Sequence, residues 1–379
     1  MVGKFHAKPF DDGTLLKLEI FRGYIREWLP VFLSKTDFWH VHVYDFFAGP
    51  GSDPKGNPGS PRIILEELEA LTSNKADPIA GTVPITLHFN DENSDHIVRL
   101  RETLDSTGAA HFCEVHFSES DFADALATEL TTLRQPHTAN LVLLDQCGMK
   151  HVTPEIFRQL ASCSTTDMLF FISSSTIRRF CDEPCIQQYL PVDPDEISRA
   201  NNKEVHRYIC GMYKAALPAD LEYYLAPFSI QKKNKANIYG VIFGSGKLLG
   251  LEKFLRVCWN QDNVTGEANY NIDDDFGRDD PGLWPELNIV KKQDRFRKDI
   301  EDFLRRASQT NLEVYRFALE SGFLPKHANE VLRTLQRNGI IEVVDVKTGC
   351  PARKGAFYVN WPDYSRQRPR VVLRYAGKS

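Results

Sequence analysis

Residues 42–51 read His-Val-Tyr-Asp-Phe-Phe-Ala-Gly-Pro-Gly, and no other stretch restricts the fold as tightly. An apolar run of strand character ends in an acid, Asp45, and passes at once into a turn with two glycines, Gly49 and Gly51. Turn chemistry continues through residues 52–59 (Ser-Asp-Pro-Lys-Gly-Asn-Pro-Gly). Ser60 can then cap, and Pro61 can open, a helix reaching about residue 71. Strand, acid, glycine turn and helix in that order build a ligand crevice at the carboxyl ends of the strands of an α/β sheet. The wording differs from the GxGxxG of dinucleotide sites. The alternative is a tight strand-to-helix turn that binds nothing.

The alternation continues along the chain. Residues 15–33 place Leu15, Leu18, Ile20, Phe21, Ile25, Leu29 and Phe32 at helical spacing. Strands are expected at 42–46, 85–89, 112–117, 140–144 and 168–172. Helices are expected between them at 60–71, 94–104 with Ser94 as N-cap, 122–133 capped by Ser120 or Asp121, and 154–161. Such alternation implies a parallel sheet. Residues 177–216 read as mostly helical. Two β-rich runs, 222–231 and 238–243, follow, joined by Lys232-Lys233-Asn234-Lys235, and 250–259 would be a last helix.

At 379 residues the chain is expected to hold two or three units. No stretch of roughly 18 apolar residues predicts a membrane span, and the N-terminus lacks an apolar signal core. Eight scattered cysteines suit a reducing cytoplasm. Cys181 and Cys185 have no second pair at zinc spacing. The acidic run with Asp273-Asp274-Asp275 and Asp279-Asp280 reads as a solvated linker before it reads as a metal site, so no metal is expected.

Charge is uneven. Residues 296–379 carry 16 Lys+Arg against 9 Asp+Glu, a net of +7, which leaves −12 on the rest of a chain whose total is −5. A basic end on an acidic body points to an anionic partner, most simply nucleic acid. Within that end, 296–307, 312–320 and 326–337 read as helices, with Gly339 past the last. Residues 340–346 and 356–359 read as a hairpin around 347–355. Helix, turn, helix and hairpin is a winged helix. Lys326, His327, Arg333 and Arg337 would lie on its recognition helix, and Arg353 and Lys354 on its wing, where positive charge meets phosphate. The alternative is a unit that docks on the rest of the chain or pairs two copies into a homodimer.

The segment from Asp45 to Gly51 looks like the first motif of S-adenosylmethionine (SAM) methyltransferases. A parallel sheet closed by a late antiparallel strand is what their catalytic domains have. The expected fold is therefore α/β, a Rossmann-like class I methyltransferase sheet at 1–260, then an acidic linker at 261–295 and a winged-helix domain at 296–379. The loops after successive strands would converge on one crevice. Asp45 would orient the glycine loop of Phe47, Gly49 and Gly51 or meet the methionine amino group. Asp91, with Glu92 as fallback, would take the ribose hydroxyls. Asp121 would meet the adenine amine or merely cap a helix.

Asp145-Gln146-Cys147-Gly148 follows the fourth strand and holds the catalytic candidates. In methyltransferases of exocyclic base nitrogens an acid or amide here receives the amine's hydrogens, and a proline and an aromatic follow. Asp145 could do the first job. Gln146 and Cys147 replace the others, so stacking would fall to Phe46, Phe47 or Phe171. Cys147 could instead act as a nucleophile, as in carbon-5 cytosine methyltransferases. Those enzymes need a partner acid or cysteine after a later strand, where this chain has Ser173-Ser174-Ser175-Thr176.

With these motifs placed, residues 10–260 resemble the three-Cys-motif partner proteins, and the end does so more loosely. The resemblance rests on Trp28-Leu29-Pro30, Asp45 through Gly51, Gly59-Ser60-Pro61, the acid after the second strand and Gly250-Leu251-Glu252. It implies a bacterial SAM methyltransferase fold beside a radical-SAM-like partner with three closely spaced cysteines. Family members usually read Asp-Pro-aromatic-Gly after the fourth strand, and Gln146 and Cys147 depart from that. Three functions follow: a methyltransferase of nucleic acid, a non-catalytic binder of SAM or of the partner's product, and a small-molecule methyltransferase.

Overall fold

The computed structural model describes residues 8–33, 37–72, 83–105, 113–146, 151–163, 165–233, 237–273 and 292–377. The chain falls into two compact units: Met1–Val257 with Ala268–Tyr270, and Cys258–Glu267 with Asn271–Ser379.

The first unit is built on seven strands: β1 (His40–Asp45), β2 (Ile85–Asn90), β3 (Glu114–Ser118), β4 (Thr138–Leu144), β5 (Thr166–Ile172), β6 (Tyr224–Gln231) and β7 (Ile238–Ser245). Their order is β3-β2-β1-β4-β5-β7-β6. The first five run parallel, and β7 enters antiparallel to β5 and β6. This is the Rossmann-like α/β sheet, parallel with a late antiparallel strand, expected from the sequence. β4 is buried at every position, as a parallel strand covered on both faces must be.

Helices α1 (Asp12–Leu33), α2 (Ser60–Thr72), α3 (Ser94–Asp105), α4 (Phe122–Leu133) and α5 (Pro154–Ala161) accompany these strands. Short helices α6 (Ser174–Arg179), α7 (Pro184–Gln187) and α8 (Pro194–Arg199) then lead to α9 (Val205–Ala215), and α10 (Leu248–Gln261) follows β7. One core layer packs α4, α5 and α9 against Tyr44, Val142, Met168, Phe170 and Ile242. On α1, Phe21, Tyr24 and Trp28 are fully buried. The Tyr24 ring meets Phe243 at 4.8 Å and Phe254 at 6.1 Å. Burying a large apolar side chain contributes about 1.5–3 kcal/mol, so this stripe holds α1 in place. Ser94 opens α3, but its cap is Asn93, whose Oδ1 accepts the Asp95 amide at 3.0 Å.

The second unit contains α11 (Lys292–Arg306), β8 (Gln309–Thr310), α12 (Asn311–Glu320), α13 (Pro325–Arg337), β9 (Ile341–Asp345), α14 (Trp361–Ser365) and β10 (Val371–Tyr375). Thr310 and Glu313 form a reciprocal capping box that starts α12. The hairpin differs from expectation. β9 pairs antiparallel with β10, in the order β8-β10-β9. Residues 356–359 form no strand, because Gly355 and Tyr358 take φ of 78° and 54°, which breaks the extended run. Phe357 and Val359 are instead buried. The acidic stretch is also partly structured: the Ala268 segment bridges Ser229 on β6, and Lys292 pairs with Glu267 at 3.0 Å. Asp274, Asp275, Asp279 and Asp280 lie outside the described residues.

Among the described residues, no helix is long and apolar enough to cross a membrane. No group of three or more His, Cys, Asp or Glu there could hold a metal ion.

Candidate functional site

The carboxyl end of the sheet brings the ends of β1, β2 and β4 together, and polar contacts bind them into one frame. Gly49 and Gly51 have φ of 61° and 80°, in the left-handed region that glycine tolerates. A Cβ on Gly51 would also lie 2.7 Å from the Leu100 Cδ1. The Gly49 amide donates to Asp91 Oδ2 at 2.9 Å. Asp91 Oδ1 accepts the Asn93 amide at 2.9 Å and meets His96 Nδ1 at 3.1 Å. The acid assigned to ribose therefore also fastens the glycine loop to the end of β2.

Two residues of this frame carried no role in the sequence reading. Asn90 is buried, and its Nδ2 donates to the Phe46 and Ser120 carbonyls at 3.3 and 3.0 Å. Its Oδ1 accepts the Ser118 hydroxyl at 2.7 Å. One side chain thus ties the ends of β1, β2 and β3. Asp53 organises the turn: it accepts the amides of Lys55, Asn57 and Phe10 and the Asn57 side chain, all between 2.8 and 2.9 Å. Burial opposes its charge, but these donors outweigh it and hold the carboxyl down to about 2.

Asp45 is 1% exposed. Its Oδ1 accepts the Phe47 amide at 3.1 Å. Its Oδ2 is buried with no partner at hydrogen-bonding distance and geometry. Burial pushes this carboxyl up to about 7; the Ser60 hydroxyl and the Phe47 amide oppose the rise, and the charges of Asp145 and Asp91 add to it. A buried acid with one oxygen lacking a well-formed hydrogen bond, flanked by two more acids, favours a cationic or hydrogen-bond-donating group beside it.

Asp145 follows β4, and its Oδ2 is in an ion pair with the Lys17 ammonium of α1. Lys17 is buried, and its Nζ also lies 4.8 Å from the centroid of the Phe171 ring. The sequence pattern held a signal for it. Lys17 precedes Phe21 by one helical turn and Tyr24 by two, so it sits on the buried stripe. Gln146 points inward: its Oε1 accepts the amides of His151 and Val152 at 3.1 and 3.3 Å, while its Nε2 is buried without a partner. Cys147 and Gly148 lie outside the described residues.

Phe47 is half-buried and stacks on Phe122 at 5.3 Å, and His151 meets both rings at 5.3 and 5.6 Å. Three rings thus collect beside the glycine loop; of the expected stacking residues Phe46, Phe47 and Phe171, Phe47 is among them. Asp121 caps α4, with Oδ1 accepting the amides of Ala123 and Asp124. After β5, Ser174 bonds His206 Nδ1 at 2.8 Å, but both are fully buried and serve packing.

In the second unit Lys326, Arg333, Arg337, Arg353 and Lys354 are exposed. The Gly355 amide donates to Gln336 Oε1 at 3.0 Å, which ties the loop of Arg353 and Lys354 to the end of α13. His327 faces inward. Its Nδ1 accepts the Leu324 amide, its ring lies 4.2 Å from Trp259, and burial pushes it down to about 4. It carries no charge for phosphate near neutral pH.

Residues 269–348 match the model of the GMT-like winged helix-turn-helix domain. No curated protein matches the sequence. Among solved structures, the O-methyltransferase TomG of Streptomyces achromogenes, involved in tomaymycin synthesis and determined with SAM, is 13% identical over 64% of this chain and 92% of its own, with a TM-score of 0.33. A candidate O-methyltransferase from Klebsiella pneumoniae is 11% identical over 62% and 90%, with a TM-score of 0.30. A candidate methyltransferase, yhhF, from Escherichia coli is 15% identical over 59% and 86%, with a TM-score of 0.26. Likeness this distant says nothing of substrate or chemistry, and the family match is confined to residues 269–348.

Proposed function

We propose that the protein is a SAM-dependent methyltransferase of nucleic acid. The observation that carries this reading is the buried, orphaned Asp45 carboxyl beside a left-handed glycine turn at the carboxyl end of the 3-2-1-4-5-7-6 sheet. A cofactor bearing an ammonium and a sulfonium suits three mutually repelling carboxylates. Asp45 would hold the amino group, and the Gly49–Gly51 backbone would let the cofactor approach closely. Asp91 would add ribose hydroxyls to the amide it already accepts. Phe47, Phe122 and His151 offer an aromatic wall for adenine. When bound, the cofactor supplies an electrophilic methyl group; the chain's task is to orient the acceptor and exclude water.

The exposed arginines and lysines of α13 and the 353–354 loop would hold the phosphate backbone without reading sequence. The resemblance to three-Cys-motif partner proteins adds a protein partner to this reading. Gln146 favours a second reading, a binder that transfers no methyl group, because its carbonyl oxygen, the atom that could receive an acceptor's hydrogens, is spent on the amides of 151 and 152.

Calorimetric titration with S-adenosylhomocysteine tests the first reading. Micromolar affinity in the wild type, lost in Asp45→Ala while the melting temperature holds, is the expected result. Absence of binding in a folded wild-type protein would overturn it. Binding with no label passed from methyl-tritiated SAM to any nucleic acid would favour the second reading.

A further inference from the structure

We infer that the acceptor is a hydroxyl rather than a base nitrogen, with Lys17 and Asp145 as the pair that handles its proton. This rests on the reading of SAM-dependent transfer to nucleic acid. Within a nucleic acid strand, the hydroxyl available at every internal position is the ribose 2′-hydroxyl, so the substrate class becomes RNA.

An exocyclic amine needs a carboxylate or carbonyl that can receive both its hydrogens, and it gains positive charge as the methyl group arrives. The Asp145 carboxylate is already in contact with an ammonium. That cation competes for the oxygen the amine would use and repels the developing charge. A hydroxyl has the opposite requirement. Its oxygen must lose a proton, and a neighbouring cation stabilises the electron-rich oxygen that results. A carboxylate and an ammonium side by side supply both.

The step balances. The acceptor O–H bond breaks and its proton passes to the Asp145 carboxylate, while Lys17 donates a hydrogen bond to the oxygen. An oxygen lone pair forms the bond to the methyl carbon. The sulfur–methyl bond breaks, and its electron pair stays on sulfur as a neutral thioether. The Asp145 side chain is 26% exposed, so it can return the proton to water.

Position agrees with this role. Asp145 is near enough to Asp45 for its charge to act on that carboxyl. The half-buried Phe171 ring lies beneath the Lys17 ammonium and stacks on Tyr239 at 6.0 Å and 10°. An anchoring role for Lys17 is redundant. α1 is already held by Arg22 and Arg26 to Glu66 and Glu67, by Glu27 to Lys253, and by its aromatic stripe. A lysine buried in an apolar stripe costs stability, which a purely structural design would avoid.

The test incubates the full chain with methyl-tritiated SAM and total cellular RNA or genomic DNA, then digests to nucleosides for mass spectrometry. The expected product is a 2′-O-methylnucleoside from RNA and none from DNA. Lys17→Met and Asp145→Asn should each lower turnover per folded molecule about 100-fold or more, with the S-adenosylhomocysteine affinity and melting temperature of Lys17→Met within error of the wild type. A methylated base nitrogen or carbon, or no label in RNA from a protein that binds the homocysteine product, overturns the hydroxyl assignment and spares the cofactor site. Failure to bind that product overturns the underlying reading instead. A lower melting temperature in Lys17→Met, with turnover per folded molecule intact, shows that the pair is only an anchor.

Discussion

Asp167 enters the sheet at the amino end of β5, Asp45 leaves it at the carboxyl end of β1, and both are buried. Burial pushes Asp167 up to about 6, with the Ser245 and Tyr24 hydroxyls opposing the rise. The Tyr24 hydroxyl donates to Asp167 Oδ2 at 2.6 Å, pinning α1 to the sheet. Asp45 keeps one oxygen orphaned, and Gln146 nearby in the chain order of strand ends keeps an orphaned amide nitrogen. Trp28 Nε1 and Ser229 Oγ are also buried without a well-formed hydrogen bond, so what sets Asp45 and Gln146 apart is their place where the loops converge, and there a ligand is the proposed partner.

The sharpest way to break this contrast is Asp45→Asn. Asp45 has a folded-state value of about 7 against 3.8 for the ordinary carboxyl. The folded state therefore holds its proton longer than the unfolded chain, and stability falls as pH rises from 4 through 7. The neutral asparagine avoids that loss. Asp45→Asn should be more stable than the wild type at pH 8, by at most about 4 kcal/mol, with the gain vanishing near pH 4. Cofactor affinity should be lost in the same variant. Urea melts at the two pH values check the first part; equal or lower stability at pH 8 would refute it.

Tyr24→Phe tests the other end. It leaves Asp167 without its short hydrogen bond and should cost about 1–3 kcal/mol at neutral pH, with no change in cofactor affinity. A loss of affinity would mean that the two ends are not separable.

The third effect is smaller. If a bound ammonium needs Asp45 ionised, affinity for S-adenosylhomocysteine should rise between pH 6 and 7 by up to about tenfold and level off above. Calorimetry across that range would show it, and a flat profile would place the amino group elsewhere.

The second unit should respond to none of these changes. There, Arg337→Ala or Lys354→Ala should weaken nucleic-acid binding and flatten the salt dependence by about 0.9 in log–log slope each. Asn338→Ala, which removes no positive charge, should leave that slope unchanged.

Much of the architecture was legible in the sequence because its signals are local. Residues 122–133 and 154–161 read as helices and form them to the residue, since Asp121 and Thr153 are caps that act within three positions. The glycine turn was legible because glycine takes positive φ at no steric cost, as Gly49 and Gly51 do here. The wing differs from expectation because residues 356–359, Ala-Phe-Tyr-Val, form an apolar run of strand character, and only packing shows Phe357 and Val359 buried as irregular chain. His327 reads as a basic-helix residue until Trp259 and Phe323 close around it.

The sequence by itself determined the alternation of strands and helices in the sheet unit, the glycine turn after Asp45 and the basic character of the C-terminal end. Only the tertiary structure decided which polar atoms meet. Gly49 finds Asp91 across 42 residues, Lys17 finds Asp145 across 128, and Tyr24 finds Asp167 across 143. Caps, turns and periodicity are settled by neighbours a few residues away. The partner of a buried charge is settled by which strands lie side by side, and that pairing emerges only when the sheet assembles.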